Sequence, residues 1–348
     1  MRARDRWRTL RIRALNWEYW PWRIVYIPLF IQYFWHGLRS GFSFPTVLNR
    51  PYMEYGGIIE ESKWQMYTKT PEGFMPATLF HPAGSDPSFT ARRIRELRMS
   101  YPLIAKPDRG MRGKGIEIIA SEKDLRHWNP HPDFDFILQT YLDYPLEIGA
   151  FVIRDPGNRE WRVSSLMQRE FLGVTGDGSS DLEQLIRAND RAFLQLERWR
   201  KNNRYNLKTV LPAGKYLKLE DIGNHRLGTC FRDISHLGDT QLCTTLSQIA
   251  NQLPGFEYGR MDIRFDSWDT FLKLQNWALI EVNGANSEPA HIYDPGHSLF
   301  YAWKSLLHHF ALQHKLAAKR IQTGEKPILI RQAKQLLKRY NHTMTDLD

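Results

Sequence analysis

The stretch PLIAKPDRGMRGKGIEIIA (102–120) limits the fold more than any other part of the chain. An apolar run stands on each side of a loop with three glycines, and four cations line the stretch. YPLIAK (101–106) and GIEIIA (115–120) both read as short buried strands, so the loop joins strand to strand. Two common phosphate-binding folds are thereby excluded. Gly110 and Gly115 have P-loop spacing, but Ile116 and Glu117 stand where Lys and Ser or Thr should follow. The dinucleotide fingerprint needs its glycines to open a helix, and Ile116, Ile118 and Ile119 continue a strand instead. A strand, glycine loop and strand form either a plain hairpin or a flap that brings backbone N–H groups and the charges of Lys106, Arg112 and Lys114 to anionic oxygens.

A partner for such a flap lies about 150 residues downstream. In YGRMDIRFD (258–266) the two-residue period of a strand puts Arg260, Asp262 and Arg264 on one face, and in WALIEVNG (277–284) Glu281 and Asn283 share a face. Asp, Glu and Asn form an all-oxygen set suited to Mg²⁺ held by few protein ligands and completed by phosphates. Arginines beside it suit charge developing on a transferred phosphoryl group.

After residue 90 helices and strands alternate. ARRIRELRM (91–99), SEKDLRHW (121–128), DLEQLIRANDRAFLQLERWRK (181–201) and DTQLCTTLSQIANQL (239–253) read as helices, and FDFILQTYL (134–142) as a strand. SKWQMY (62–67) is a short helix candidate. This order indicates an α+β or α/β body. Two cysteines are too few for a disulfide framework or a four-thiolate zinc site, which points to a reducing, cytoplasmic compartment.

The formal net charge of +10 sits at the ends. Residues 1–40 hold eight arginines against Asp5 and Glu18, residues 313–348 hold eight cations against three acids, and the body between them is nearly neutral. A nucleic-acid reader would place its cations on the reading domain, so no nucleic-acid partner is expected. Five of the chain's twelve tryptophans lie between Trp7 and Trp35. The uncharged run Ile24–Trp35 covers twelve residues, about 18 Å as a helix and too short to span a membrane, and Pro28 interrupts it. Trp, Tyr and Arg together suit a segment lying on the anionic inner face of a membrane, or one covering an apolar patch of the body. ILIRQAKQLLKRY (328–340) is an amphipathic helix with a basic face.

In order along the chain, PLIAKPDRGMRGKG, ILQTYLDYPLEIGAFV, YGRMDIRFD and ALIEVNGANSEP resemble the motifs of the ATP-grasp superfamily of carboxylate–amine ligases, which includes the D-alanine:D-alanine ligases and enzymes of the cyanophycin-synthetase type. FLGVTGDGSSDLEQLI (171–186) looks like a segment of the latter. The resemblance covers about residues 60–310. It implies an α+β fold of two lobes gripping ATP: residues 101–145 as the small lobe with the flap, 146–312 as the large lobe with the metal site. Residues 1–44 are then a basic aromatic arm, 45–100 a short preceding segment, and 313–348 a basic helical tail.

Carried onto this chain, the resemblance implies that Lys106 contacts ATP phosphates and that Arg112, Gly113, Lys114 and Gly115 form the flap. Gln139, Thr140, Tyr141 and Leu142 match the linker whose backbone reads adenine, and Glu147 matches the carboxylate on the ribose. Asp262, Glu281 and Asn283 match the ligands of two Mg²⁺ ions, for which Mn²⁺ can substitute. Arg260 matches the arginine near the acyl phosphate, with Arg264 beside it, and Asn286 and Ser287 lie on the substrate side. Lys63 is an upstream candidate for ATP contact. The implied reaction activates a carboxylate as its acyl phosphate and joins it to an amine; the other reading is an ATP-binding sensor of the same fold. The family's usual first α/β domain has no counterpart here, and the arm stands in its place. The substrates expected are small or amphiphilic carboxylates and amines.

Overall fold

The computed structural model describes the backbone of residues 3–346 apart from Glu60, residues 111–114, Asn129, Pro156, Asp221, Ile222 and Asn224, and side chains up to Tyr340. The expected flap residues Arg112, Gly113 and Lys114 lie outside the described residues.

The arm consists of three helices, α1 (Ala3–Leu15), α2 (Trp22–Val25) and α3 (Ile27–Ser40). Pro28 does not interrupt the apolar run. It occupies the first turn of α3, where its missing N–H costs nothing and its fixed φ favours the helix. The arm's inner face is docked on the body: Leu29 is buried with Ile292, Ala302 and Leu306. The indole N–H of Trp17 donates to the His297 carbonyl at 2.9 Å, and that of Trp303 donates to the Val25 carbonyl at 2.7 Å. Its outer face is bare, with Ile31 69%, Trp35 54% and Leu38 60% exposed.

Next come α4 (Lys63–Lys69), capped by Ser62, and β1 (Thr78–His81). Then follow α5 (Pro87–Glu96), β2 (Leu103–Pro107), β3 (Glu117–Ile119), α6 (Glu122–His127) and β4 (Phe136–Thr140). The strands form an antiparallel sheet in the order β1-β4-β2-β3, so the two runs of the opening motif do pair as a hairpin. Ile94, Leu103, Leu125 and Leu138 fill the core between this sheet and its helices.

The larger lobe begins with β5 (Leu146–Arg154) and β6 (Trp161–Glu170). A two-stranded ribbon, β7 (Gly173–Thr175) with β8 (Tyr216–Lys218), encloses α7 (Leu182–Ala188), α8 (Asp190–Phe193) and α9 (Leu196–Lys201). The long helix expected over 181–201 is thus three short ones. Asn189 takes an extended conformation and its side chain caps α8, accepting from the Ala192 N–H, which ends one helix and starts the next. After β9 (Cys230–Asp233) and α10 (Thr240–Asn251) come β10 (Tyr258–Phe265), α11 (Trp268–Phe271) and β11 (Trp277–Asn283). The large sheet is antiparallel, ordered β11-β10-β5-β6-β9. Two helices, α12 (Leu299–Gln322) and α13 (Ile330–Asp346), close the chain. The boundary expected at 312/313 falls inside α12, which runs unbroken from the lobe into the tail. The architecture is α+β, as expected, built on the two larger antiparallel sheets and the β7–β8 ribbon. Among the described residues no helix is long and apolar enough to cross a membrane.

Candidate active site

Lys106, on β2, is buried, and its ammonium donates to the Gln139 side-chain oxygen at 2.9 Å. The Gln139 amide nitrogen donates in turn to the Thr78 hydroxyl at 3.0 Å, so three strands of the small sheet fix one lysine. The Gln139 side chain thus holds the Lys106 ammonium in place. Burial lowers the Lys106 pKa from 10.5 to about 8, against an opposite pull from Glu281 and Glu147. That pull places the ammonium within electrostatic range of carboxylates on the large lobe.

Lys63, at the start of α4, donates to the carbonyls of Asp108 (3.3 Å) and Gly110 (2.9 Å), at the entrance to the glycine loop. Gly115 leaves that loop at φ +65°, a left-handed conformation that favours glycine. In the linker, the N–H groups of Thr140 and Tyr141 donate to the Ala77 and Pro102 carbonyls, and the Leu142 carbonyl accepts from Arg264 at 2.7 Å. These linker groups are engaged within the protein.

On the large lobe, strand register builds the second half of the site. Asp262 on β10 stands directly opposite Glu281 on β11, and Arg260 opposite Asn283. Both strands are framed by buried apolar residues (Met261, Ile263, Leu279, Val282), so the alternation aims charge into the cleft and hydrocarbon into the core. On the other side of β10, Asp262 faces Gly149 of β5. A Cβ at 149 would lie 3.1 Å from the Arg260 side chain and 3.2 Å from the Asp262 carboxylate, so glycine leaves room for the charge cluster.

The buried Asp262 carboxylate accepts from Arg260 at 2.7 Å and from Arg169 at 2.6 Å. Arg169, on β6, also donates to Glu147 at 2.5 Å, and Arg264 donates to the other Glu147 oxygen at 2.6 Å. Burial works against the Asp262 carboxylate, and the two guanidinium groups more than offset it, holding its pKa below the usual range. Arg264 thus stands at the linker end, against Glu147 and over the rings of Tyr141 and Phe171, away from the Arg260 end of the cluster. Asn286 and Ser287 follow β11 in a turn held by the amino-terminal segment: the N–H groups of Ala285 and Asn286 donate to the Gly56 and Gly57 carbonyls, each at 2.9 Å.

Arg169 and Glu61 are site residues the sequence reading missed. Arg169 ties Asp262 to Glu147, and the signal available was a lone arginine following Leu166 and Met167 in a strand. Glu61 lies near Glu281 and Lys63, and burial pushes its carboxyl pKa up, with Glu281 adding repulsion.

Among the described residues, no group of three or more His, Cys, Asp or Glu is arranged to hold a metal ion. The donor chemistry nevertheless fits Mg²⁺. Among the described residues Glu281 makes no ion pair and the Asn283 side chain no hydrogen bond, so the oxygens of both are uncommitted. Asp262 is held by two arginines and would have to share its oxygens.

Two cavities adjoin this cluster, and Arg169 lies in the wall of both. One, of about 730 Å³, opens beside the linker at Asp143–Pro145 and reaches Arg264 and Phe171. The other, of about 870 Å³, runs from Glu281, Asn286 and Ser287 to the underside of the arm.

No protein-family model matches the chain, and no curated protein does. Solved structures similar to it include a D-alanine–D-alanine ligase from Bacillus anthracis (13% identity, 73% of this chain and 66% of that one, TM-score 0.40). A bifunctional glutathione synthetase from Pasteurella multocida has 15% identity over 70% of this chain and 34% of that one, at a TM-score of 0.39. An ATP-grasp ligase, PsnB, in complex with a minimal precursor has 13% identity over 68% of this chain and 55% of that one, at a TM-score of 0.33. Each of the three is a ligase or synthetase by name. This chain spans about a third of the length of the glutathione synthetase and two thirds of that of the D-alanine–D-alanine ligase.

Proposed function

We propose that the chain is an ATP-dependent ligase of ATP-grasp type that activates a carboxylate as its acyl phosphate and joins it to an amine. The observation that carries this reading is the register of β10 and β11, which sets Asp262 opposite Glu281 and Arg260 opposite Asn283, with the Lys106 ammonium in range from the other lobe. Opposed oxygen donors flanked by buried arginines suit a triphosphate brought to a second anion, and hydrocarbon strands alone would not need them.

In this reading Lys106 binds phosphate oxygens, Lys63 and Gly115 stand at either end of the glycine loop, and Arg112, Gly113 and Lys114 bind the nucleotide phosphates. Glu147 and the linker 139–142 take the nucleoside end, with Arg264 positioning Glu147. Arg260 holds the oxyanion of the carboxylate as the phosphoryl group arrives, and Asn286 and Ser287 orient the substrate. Glu281 and Asn283, with Asp262, would hold Mg²⁺, which when bound offsets the repulsion between carboxylate and triphosphate. The flap excludes water that would hydrolyse the acyl phosphate. The arm's bare aromatic face, with Arg23 and Arg39 beside it, docks the enzyme on an anionic membrane surface.

The test is ADP formation by the full-length protein with Mg²⁺ and paired carboxylates and amines. Turnover is expected only when both substrates are present, and Glu281→Ala should abolish it while the protein stays folded. ATP consumption that survives Glu281→Ala would overturn the assignment.

A further inference from the structure

The larger cavity has two unlike ends. Near the charge cluster its wall is Glu281, Asn286, Ser287 and Glu288; away from it the wall is Trp22, Tyr26, Leu29 and Phe30 of the arm facing Leu306 and Phe310 of α12. The apolar end is continuous with the reacting end, so one ligand can occupy both. At about 870 Å³ it lies near the top of the range of about 300–1,000 Å³ typical of small-molecule sites, far more than a small amino acid fills.

Glu288 decides which substrate sits there. Its carboxylate accepts from the Tyr293 hydroxyl at 2.6 Å, and among the described residues it makes no ion pair. Of the two arginines in the same wall, Arg169 is already committed to Glu147 and Asp262 and Arg226 is also engaged within the protein, while His225 is committed to Glu18. An anion at this end would meet an uncompensated carboxylate, whereas an ammonium would complete it.

We propose that this cavity is the amine site of the ligase: it takes a primary amine with a long apolar body, the ammonium on Glu288 and the body beneath α2 and α3. This rests on the ligase reading and names the class of its acceptor. As the amine reacts, it gives one proton to the Glu288 carboxylate, its lone pair forms the C–N bond at the acyl carbon, and the C–O bond to phosphate breaks. The bonding pair leaves with phosphate, which takes the second proton, so the amide keeps one. Burial raises the pKa of Glu288, which makes it the better acceptor for that proton.

Binding of ethylamine, hexylamine, dodecylamine and dodecanoate to the full-length protein, read by tryptophan fluorescence and calorimetry without ATP, tests the site apart from turnover. Affinity should rise steeply with amine chain length, and dodecanoate should bind far more weakly than dodecylamine. Glu288→Gln should weaken dodecylamine about tenfold or more, with Glu288→Asp recovering part of the loss. Trp22→Ala and Phe30→Ala should each weaken dodecylamine more than ethylamine. Dodecanoate binding as tightly as dodecylamine, or Glu288→Gln binding like wild type, would overturn the proposal. ADP formation indifferent to amine chain length would also overturn it while leaving the ligase reading intact. Chain-length-dependent amine binding with no ADP formed under any pairing would support the site and overturn the ligase reading.

Discussion

Lys106 is charged in a place where charge is costly, and that cost makes its role measurable. Its pKa of about 8 lies below the ordinary 10.5 because burial disfavours the ammonium. Between pH 8 and 10.5 the unfolded chain therefore holds a proton that the folded chain does not, so this group's contribution to stability rises with pH across that window. Nucleotide binding in the proposed ligase should run the other way: if the triphosphate binds the Lys106 ammonium, affinity should fall as pH rises through 8, by up to tenfold per unit, and binding above pH 8 should take up a proton. Calorimetry in buffers of different ionisation enthalpy measures that uptake, and Lys106→Arg should show none. Arg169 is a second test. Arg169→Met leaves Asp262 and Glu147 each short of a buried partner, which should cost about 3–5 kcal/mol in denaturant unfolding, partly restored by Mg²⁺ and ATP. Asp262, Glu281 and Asn283 were legible as candidates because strand period and oxygen chemistry both mark them, and Lys106 because it stands on the strand that enters a glycine loop. Arg169 and Glu288 were not, because Arg169 joins Glu147, 22 residues before it, to Asp262, 93 residues after it, and Glu288 is marked only by its place in a cavity wall.

At the scale of elements, apolar period identified β2, β3, β4, β10 and β11, while β1 and β5 to β9 went unread. The hairpin of β2 with β3 and the pair β10–β11 form where alternation or a short apolar run predicts, since each buries hydrocarbon on at least one face. Helix continuity was less legible. The apolar spacing of 181–201 is genuine, and Leu182, Ile186, Phe193, Leu196 and Trp199 do share one core, but the cap at Asn189 divides the helix without disturbing that pattern. Pro28 misled in the opposite direction, reading as a break where it begins α3. The arm as an element is anchored along its length by ion pairs, hydrogen bonds and buried apolar side chains. Asp5 pairs with Arg187 at 3.0 Å and Glu18 with Arg191 at 2.7 Å, and Leu29 is its deepest apolar anchor. Leu29→Ala should loosen this docking by about 2–5 kcal/mol. Limited trypsin digestion should then cut at arginines of residues 2–39 much faster than in wild type, while the two lobes keep their unfolding midpoint. Loss of the whole fold would instead make the arm part of the core.

For the whole molecule, charge and apolar surface lie in a pattern that a ligand site alone does not explain. The positive excess was legible at the two ends of the chain, but its relation to the body was not, because the sequence left the arm either on a membrane or on the protein. The structure gives the arm both an inner and an outer face. The inner face forms one wall of the large cavity, and the outer one leaves Ile31, Trp35 and Leu38 more than half exposed, with the Arg39 guanidinium 4.4 Å from the Trp35 ring. Exposed aliphatic and aromatic groups next to arginines fit an interfacial helix, in which apolar burial and attraction to anionic lipid act together. Each term has its own signature. The protein should float with phosphatidylserine-containing liposomes and much less with purely zwitterionic ones. Raising salt should weaken the electrostatic term but leave part of the binding, because insertion of the apolar face is not screened. Replacing Ile31, Trp35 and Leu38 together by Ser should abolish flotation at any salt, with no drop in unfolding midpoint, since all three already face solvent. Flotation that persists in this triple variant would assign the attachment to another surface, with the basic face of α13 first among those to examine.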